Sequence, residues 1–187
     1  IYINSDGKAL LKYAESIRKN GIYVLGTQIT EEGKIKGIDI SLADELFNLQ
    51  IFDFIIMEAD GSKRKPIKAP AEWEPVVPKQ TTMTIGVIGL DSIGMIANEK
   101  NVHRLDEFCS ITNCSPGDEI NEVMIAKLID HPQGLFKKTP AYAKKIVLLN
   151  KADNVNLAEK GKAIGDMVMA DDVMIIIASL KNSRYWM

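Results

Sequence analysis

The sequence predicts an α/β fold, specifically a three-layer, doubly wound and mainly parallel sheet. Apolar runs recur along the chain, the segments between them carry helical spacing, and three of the runs end in polar motifs. Strands that alternate with helices in this way favour a parallel sheet. Because some runs are apolar on both faces, we expect helices to cover the sheet on each side, which gives the three layers.

The predicted elements follow one another in a simple order. Ala9 to Lys19 carry apolar side chains at helical spacing, and Asn20-Gly21 form a stop signal. A short strand is predicted at residues 22–25, a turn of an edge hairpin at 31–37, and a short helix at 42–48. The remaining predicted strands are residues 51–57, 84–88, 146–149 and 173–177, and the remaining predicted helices are residues 119–129 and 156–168.

Composition narrows the class of protein. The chain has 187 residues, of which 46% are hydrophobic and 26% charged, which suffices for a buried core. A formal net charge of -2 gives no general affinity for polyanions, so we expect no nucleic-acid partner. No apolar stretch reaches the ~18 residues of a membrane span, and no signal peptide is evident, so a cytoplasmic protein without a membrane partner is predicted. Cys109 and Cys114 lack zinc-like spacing and are expected to be free thiols.

A base-reading motif follows the predicted strand 146–149. Asn150-Lys151-Ala152-Asp153 is the N-K-x-D pattern of guanine-nucleotide-binding proteins. The Asp153 carboxylate can accept hydrogen bonds from the ring N–H and the exocyclic amine of guanine, Asn150 can tie the loop, and the Lys151 methylenes can lie on the purine. Ser179, after the last predicted strand, lies where a second, looser base contact is expected. The alternative is a solvated turn.

An acidic pair follows the predicted strand 51–57. Glu58 and Asp60 are two residues apart, so on an extended backbone they project to the same side. One or two carboxylates suffice for Mg²⁺, which keeps several waters. We therefore predict that Glu58 and Asp60 serve the metal and the catalytic water. The alternative is an acidic turn at Gly61.

Cations follow the acidic pair. Lys63, Arg64 and Lys68 are predicted to contact phosphate or a partner protein, although a solvated basic loop is an equal alternative. His103 and Arg104 are a further candidate contact. A lone histidine is more often structural than catalytic, and no serine or cysteine is placed to form a triad with it.

The phosphate-binding loop itself is missing from the sequence. No G-x-x-x-x-G-K-[ST] pattern occurs, and Gly7-Lys8-Ala9 lacks the hydroxyl residue. An acidic strand end followed by N-K-x-D is the order expected downstream of such a loop. We therefore expect a P-loop NTPase type of fold, with the P-loop segment upstream of Ile1 and a single nucleotide-binding domain over residues 1–187. The predicted ligands are GTP, which N-K-x-D favours, or ATP, with Mg²⁺.

A longer, irregular set of residues resembles the YqeC family, which is described as accessory to selenium-dependent molybdenum hydroxylases. The resemblance is carried by residues 58–78, 86–91, 102–104, 131–137 and 150–153. It implies a P-loop α/β fold with an N-terminal G-K-T loop, and a molybdenum hydroxylase client or a cofactor-maturation protein as partner. Nucleotide hydrolysis would then gate the delivery of cofactor or selenium.

Two other functions stay open at this stage. One is a cofactor-binding chaperone module that holds its ligand without turnover. The other is a P-loop small-molecule kinase or transferase, in which the basic loop after Asp60 grips an acidic acceptor. The three functions differ in their products, which are free phosphate, no product, and a phosphorylated acceptor.

Overall fold

The computed structural model describes residues 1–186. The chain forms two compact units, one of residues 1–57 with 77–80, and one of residues 58–76 with the residues from Thr81 onward. Each unit contains helices and parallel strands. The single nucleotide-binding domain over residues 1–187 stays a prediction, because the division into compact units does not test nucleotide binding.

The first unit pairs short strands with two helices. Strands β1 (Tyr2–Ile3) and β2 (Leu25–Gly26) are parallel, and β3 (Gln28–Ile29) and β4 (Ile35–Lys36) form the predicted antiparallel hairpin. Helix α1 spans Gly7–Ser16 and helix α2 spans Ile40–Asn48. The Asp6 side chain caps α1 by accepting from the Lys8 N–H at 2.9 Å. The helices pack through a small core of Leu10, Ala14, Leu42 and Leu46.

The predicted strand at residues 51–57 does not form. These residues have no regular secondary structure, and Phe54 and Ile56 are 86% and 94% exposed. A strand requires a neighbouring backbone that completes its hydrogen bonds, and no described strand pairs with this segment. Apolar composition alone was therefore insufficient, and the prediction was wrong.

The second unit is built on a four-stranded sheet. Its strands are β6 (Met83–Gly89), β8 (Lys144–Asn150), β9 (Val173–Ser179) and β10 (Arg184–Trp186), in the spatial order β10-β9-β8-β6. β6, β8 and β9 are parallel, and β10 is antiparallel to β9. A separate parallel pair joins β5 (Ile67–Lys68) to β7 (Val102–His103). The three parallel strands predicted at 84–88, 146–149 and 173–177 are confirmed.

Three helices belong to this unit. They are α3 (Leu105–Thr112), α4 (Glu122–Asp130) and α5 (Val155–Met167). The side chains of Asn121 and Asn154 cap α4 and α5 by accepting backbone N–H groups at 3.1 and 2.9 Å, which fixes the two predicted helices at their starts. The sequence did not predict α3, which is short and follows a left-handed Arg104. Within residues 1–186 no helix combines the length and apolarity needed to cross a bilayer.

The helices of this unit cover one face of its sheet. Ile88, Val147 and Leu149 share a core cluster with helical residues that include Phe108, Ile125, Leu128 and Ile164. On the other face Ile85 and Val87 remain 55% and 57% exposed. The unit is therefore a mixed α/β structure with parallel strands, and the predicted three-layer arrangement is not seen in it. Apolar residues on both faces of a strand are compatible with a second layer of helices, but they do not determine whether helices pack there.

Candidate functional site

The polar motifs meet at the carboxyl edge of the sheet. In the parallel register of β6 and β8, Gly89 lies opposite Asn150, and Ser179 ends β9 beside them. Ligands of open α/β sheets bind outside this edge. The structure thus brings together the residues that follow the strands predicted at 84–88, 146–149 and 173–177, whereas the acidic pair Glu58 and Asp60 follows a segment that forms no strand.

The loop after β8 is tied to the end of β9. The Asn150 side-chain oxygen accepts from the Leu180 N–H at 3.2 Å, and the Ala152 N–H donates to the Ala178 carbonyl at 3.1 Å. Lys151 between them has a φ of 64°, in the left-handed region. These two bonds hold the N-K-x-D residues, which we call the base loop (residues 150–153), in a fixed turn.

Asp153 is oriented by two residues at the end of β9 and in the turn that follows it. Its Oδ1 accepts from the hydroxyl of buried Ser179 and from the Asn182 Nδ2 at 3.4 Å, and Asn182 also donates to the Ser179 Oγ at 2.9 Å. Asp153 itself is exposed, and its Oδ2 makes no hydrogen bond to any described residue. Ser179 was predicted as a backbone contact to the base, and here its side chain positions the carboxylate. Sequence reasoning missed Asn182, whose signal is its place in the turn that follows β9.

Lys151 bridges the ends of two strands. Its ammonium donates to the Asp91 Oδ2 at 2.6 Å, and Asp91 lies in the short 3-10 turn after β6. The Asp91 Oδ1 and the Ser92 Oγ are buried without a hydrogen-bond partner among the described residues. A Cβ on Gly89 would overlap Asp91, so glycine permits this close approach. The stem of Lys151 therefore spans the edge between β8 and β6.

A second group of charges, which we call the ion-pair cluster, consists of Asp60, Lys68, Glu74 and Arg104. Lys68 pairs with Asp60 and, at 2.9 Å, with the Glu74 carboxylate. Arg104 grips the same carboxylate through Nη2 at 3.0 Å and Nε at 3.3 Å. Its guanidinium lies 5.1 Å from the centroid of the Trp73 ring. Opposite charges in this arrangement compensate one another, as partly buried charges require.

Glu74 is the centre of the cluster. Only 13% of its side chain is exposed. Burial alone would raise the pKa of Glu74, but the hydrogen bonds from Arg104 and Lys68 outweigh it and lower the pKa to about 2. Glu74 was not among the predicted site residues. Its signal is an acid placed between Trp73 and Pro75 in a proline-rich loop.

His103 is buried at the end of β7, beside the cluster. Burial lowers its pKa, and the positive charges of Lys68, Arg104 and Lys63 lower it further. The imidazole is therefore neutral at pH 7. A role of His103 as a ligand contact stays a prediction from the sequence.

The remaining predicted contacts lie on an exposed turn. Glu58, Lys63 and Arg64 are exposed, and the two cations have φ values of 52° and 63°. The Ser62 hydroxyl closes the turn by donating to the Lys65 carbonyl at 2.9 Å. Of the predicted phosphate contacts, only Lys68 and Arg104 therefore join the cluster.

The arrangement at Glu58 and Asp60 does not fit a bound Mg²⁺. The Lys68 ammonium occupies the Asp60 carboxylate, and residues 1–186 contain no group of three or more His, Cys, Asp or Glu side chains that could hold a metal. Metal binding and catalysis at Glu58 and Asp60 stay predictions from the sequence.

Comparison with known proteins identifies the family of this chain. The sequence profile described as "YqeC protein" matches residues 2–106, more than half of the chain. This segment contains the ion-pair cluster and ends before the base loop. The "Uncharacterized protein YqeC" of Escherichia coli (strain K12) is 35% identical over 120 residues, which cover 64% of this chain and 47% of that protein.

The chain thus aligns with about half the length of its bacterial relative. No solved structure matches the chain. The profile match and the level of identity agree with the resemblance carried by residues 58–78 and 102–104, and the chain belongs to the YqeC family.

Proposed function

We propose that the protein is a nucleotide-binding accessory factor that reads guanine through the base loop and takes part in the maturation of a selenium-dependent molybdenum hydroxylase. One observation carries the nucleotide part of the proposal. The Asp153 carboxylate is positioned by Ser179 and Asn182 at the carboxyl edge of the sheet while it stays exposed.

The chemistry of guanine supports this reading of Asp153. Guanine presents two adjacent donors, the ring N–H and the exocyclic amine, and a carboxylate presents two adjacent acceptors. The Ser179 and Asn182 contacts both fall on Oδ1, which leaves Oδ2 for a ligand. Adenine lacks this pair of donors, so GTP is favoured over ATP.

A P-loop type of fold is part of the same proposal. Three parallel strands that end at one edge in Gly89, Asn150 and Ser179 support it. The stem of Lys151 offers an apolar surface beside Asp153, on which a purine can lie. Hydrolysis receives no such support, because Asp60 is engaged by Lys68.

The engagement of Asp60 favours one alternative, a module that holds nucleotide or cofactor without turnover. Its Oδ1 already accepts from the Lys68 ammonium, so the carboxylate predicted to serve Mg²⁺ is engaged in an ion pair instead. Analysis of products after incubation with GTP and Mg²⁺ distinguishes the two. Free phosphate supports a hydrolase, and unchanged GTP in the bound fraction supports the non-hydrolysing module.

The client enzyme in this proposal comes from the family resemblance. Its test is co-expression of a selenium-dependent molybdenum hydroxylase with the wild-type chain or with Asp153→Ala. We expect selenium and molybdenum content of the purified hydroxylase to fall with the variant. Equal metal and selenium content in both samples would refute this client.

The base-reading site is tested by calorimetric titration with GTP, GDP, ATP and ADP in the presence of Mg²⁺, and with guanosine and adenosine alone. We expect guanine ligands to bind more tightly than adenine ligands and Asp153→Ala to remove that preference. Asp171→Ala is the matched control, because Asp171 is an equally exposed aspartate in the turn before β9. Equal binding of guanosine and adenosine by the wild-type chain would overturn the assignment.

A further inference from the structure

We propose that the amino edge of the sheet carries a second binding site, for a small oxyanion such as a phosphate or a dicarboxylate. A cavity of about 290 Å³ opens there, lined by Asp130, His131, Phe136, Lys138, Thr139 and Lys145 among others. Lys145 is the second residue of β8 and Val173, also in the lining, is the first of β9. The cavity is therefore at the end of the strands opposite to the base loop, and the proposal is independent of nucleotide binding.

The size of the cavity limits its ligand. Sites for drug-sized ligands start at about 300 Å³, so a space of 290 Å³ accommodates a small metabolite at most. A phosphate or a four-carbon dicarboxylate fits this limit, and a nucleotide does not.

The cavity holds an excess of positive charge. Its lining contains two lysines, Lys138 and Lys145, and one acid, Asp130. The Asp130 carboxylate is already used, since it accepts from the Met169 N–H at 3.0 Å and from the Ala170 N–H at 3.2 Å. Lys138 forms no ion pair with any described residue, so its charge is available to an anion.

Two further donors face no partner. The Thr139 hydroxyl oxygen is buried without a hydrogen bond among the described residues. The His131 Nδ1 accepts from the Gln133 N–H at 3.1 Å, so Nε2 is the ring nitrogen left to donate to a ligand. A buried hydroxyl without a partner costs free energy, and a bound oxyanion would satisfy it.

The turn that carries His131 and Lys138 is rigid. The Gly134 N–H donates to the His131 carbonyl at 2.7 Å, and the Leu135 N–H donates to the Leu128 carbonyl at 2.9 Å. A Cβ on Gly134 would overlap the Leu128 carbonyl oxygen, so this position requires glycine. Residues 131–137 are one of the stretches that carry the family resemblance, and neither the base loop nor the ion-pair cluster uses them.

Lys145 is held by an exposed acid outside the cavity lining. Its ammonium pairs with the Asp172 Oδ2 at 2.7 Å, and the pKa of Asp172 is lowered by that hydrogen bond. A ligand must compete with Asp172 for this ammonium. Removal of the acid is therefore expected to strengthen binding, a result that a merely destabilising change would not produce.

The test is titration of the ¹⁵N-labelled full chain with inorganic phosphate, followed through the backbone amide shifts of Lys138 and Thr139, with succinate as a separate arm. We expect Lys138→Gln to weaken phosphate binding about tenfold, the loss of one charge-assisted hydrogen bond. Thr139→Val is expected to weaken it about threefold, and Asp172→Asn to strengthen it about threefold.

Lys144→Gln is the matched control, because Lys144 adjoins Lys145 on β8 and projects from the other face. It loses the same charge and should change affinity less than about twofold. Spectra of the free variants establish that each is folded. Phosphate-induced amide shifts confined to the cavity residues, with affinities of the variants in the expected order, support the site. Saturation by phosphate alone or by succinate alone then identifies it as a phosphate site or a carboxylate site. An absence of saturable shifts at Lys138 and Thr139, or equal weakening by Lys144→Gln, would overturn it.

Discussion

Replacement of Glu74 by glutamine tests the ion-pair cluster most directly. The difference between the ordinary pKa of 4.5 and the value of about 2 corresponds to roughly 3 kcal/mol of stabilisation at neutral pH. Because the side chain is only 13% exposed, solvent screening removes little of this free energy. Glutamine keeps an acceptor for Arg104 but loses the charge, so we expect Glu74→Gln to lower the free energy of unfolding by about 2 kcal/mol at pH 7.

The effect should depend on pH with a defined sign. A carboxylate whose pKa is lowered by folding stabilises the folded state above its unfolded pKa, and this stabilisation is lost as the pH falls. At pH 3.5 the unfolded glutamate is mostly protonated while the folded one is not, which removes roughly 1.4 kcal/mol of its contribution. The difference between wild type and Glu74→Gln should therefore shrink between pH 7 and pH 3.5.

Urea unfolding followed by tryptophan fluorescence is the appropriate assay. The two tryptophans of the chain, Trp73 and Trp186, both lie in the second unit, so the signal reports the unit that contains Glu74. Glu72→Gln is the matched control, since Glu72 is exposed two residues away. Equal unfolding free energies for Glu74→Gln and Glu72→Gln at pH 7, or a difference that does not change with pH, would refute the reasoning.

Three further predictions address other parts of the chain. Asp153→Asn should change the preferred base from guanine to xanthine, because an amide offers a donor to the second carbonyl of xanthine. Calorimetry with GDP and XDP measures the preference, and an unchanged preference for GDP would contradict the prediction. Gly134→Ala should lower the free energy of unfolding by about 2 kcal/mol, because the added Cβ overlaps the Leu128 carbonyl oxygen. Urea unfolding measures this, and a free energy within ~0.5 kcal/mol of wild type would show that the turn adjusts to the methyl group. Chymotrypsin should cut first after exposed Phe54 and spare buried Phe108, as mass spectrometry of early fragments would record, and early cleavage at Phe108 would disprove it.

The sequence was most informative where local pattern and local structure coincide. Runs such as Ile146 to Leu149 fill a central strand whose neighbours lie on both sides, so apolar composition and ladder pairing agree. The asparagines at the starts of α4 and α5 cap their helices through bonds to nearby N–H groups. The position of the base loop at a strand end followed from the same pattern.

Features that depend on distant residues could not be predicted in this way. The run at residues 51–57 has the composition of a strand, but no described strand pairs with it. Glu74 gains its role from Lys68 and Arg104, which lie 6 and 30 positions away in the chain. Asn182 matters because β9 ends beside the base loop. Each of these depends on tertiary packing that one-dimensional periodicity does not record.

The two sets of candidate residues are linked by one backbone hydrogen bond and one side-chain ion pair, although the family profile covers only one of the sets. The Gly89 N–H at the end of β6 donates to the Pro66 carbonyl at 2.9 Å, directly before β5 and Lys68. Lys151 of the base loop reaches Asp91, two residues after Gly89. The ion-pair cluster lies within the matched residues 2–106, and the base loop lies outside them. The family match therefore includes the cluster, and guanine reading stays a proposal about the base loop of this chain.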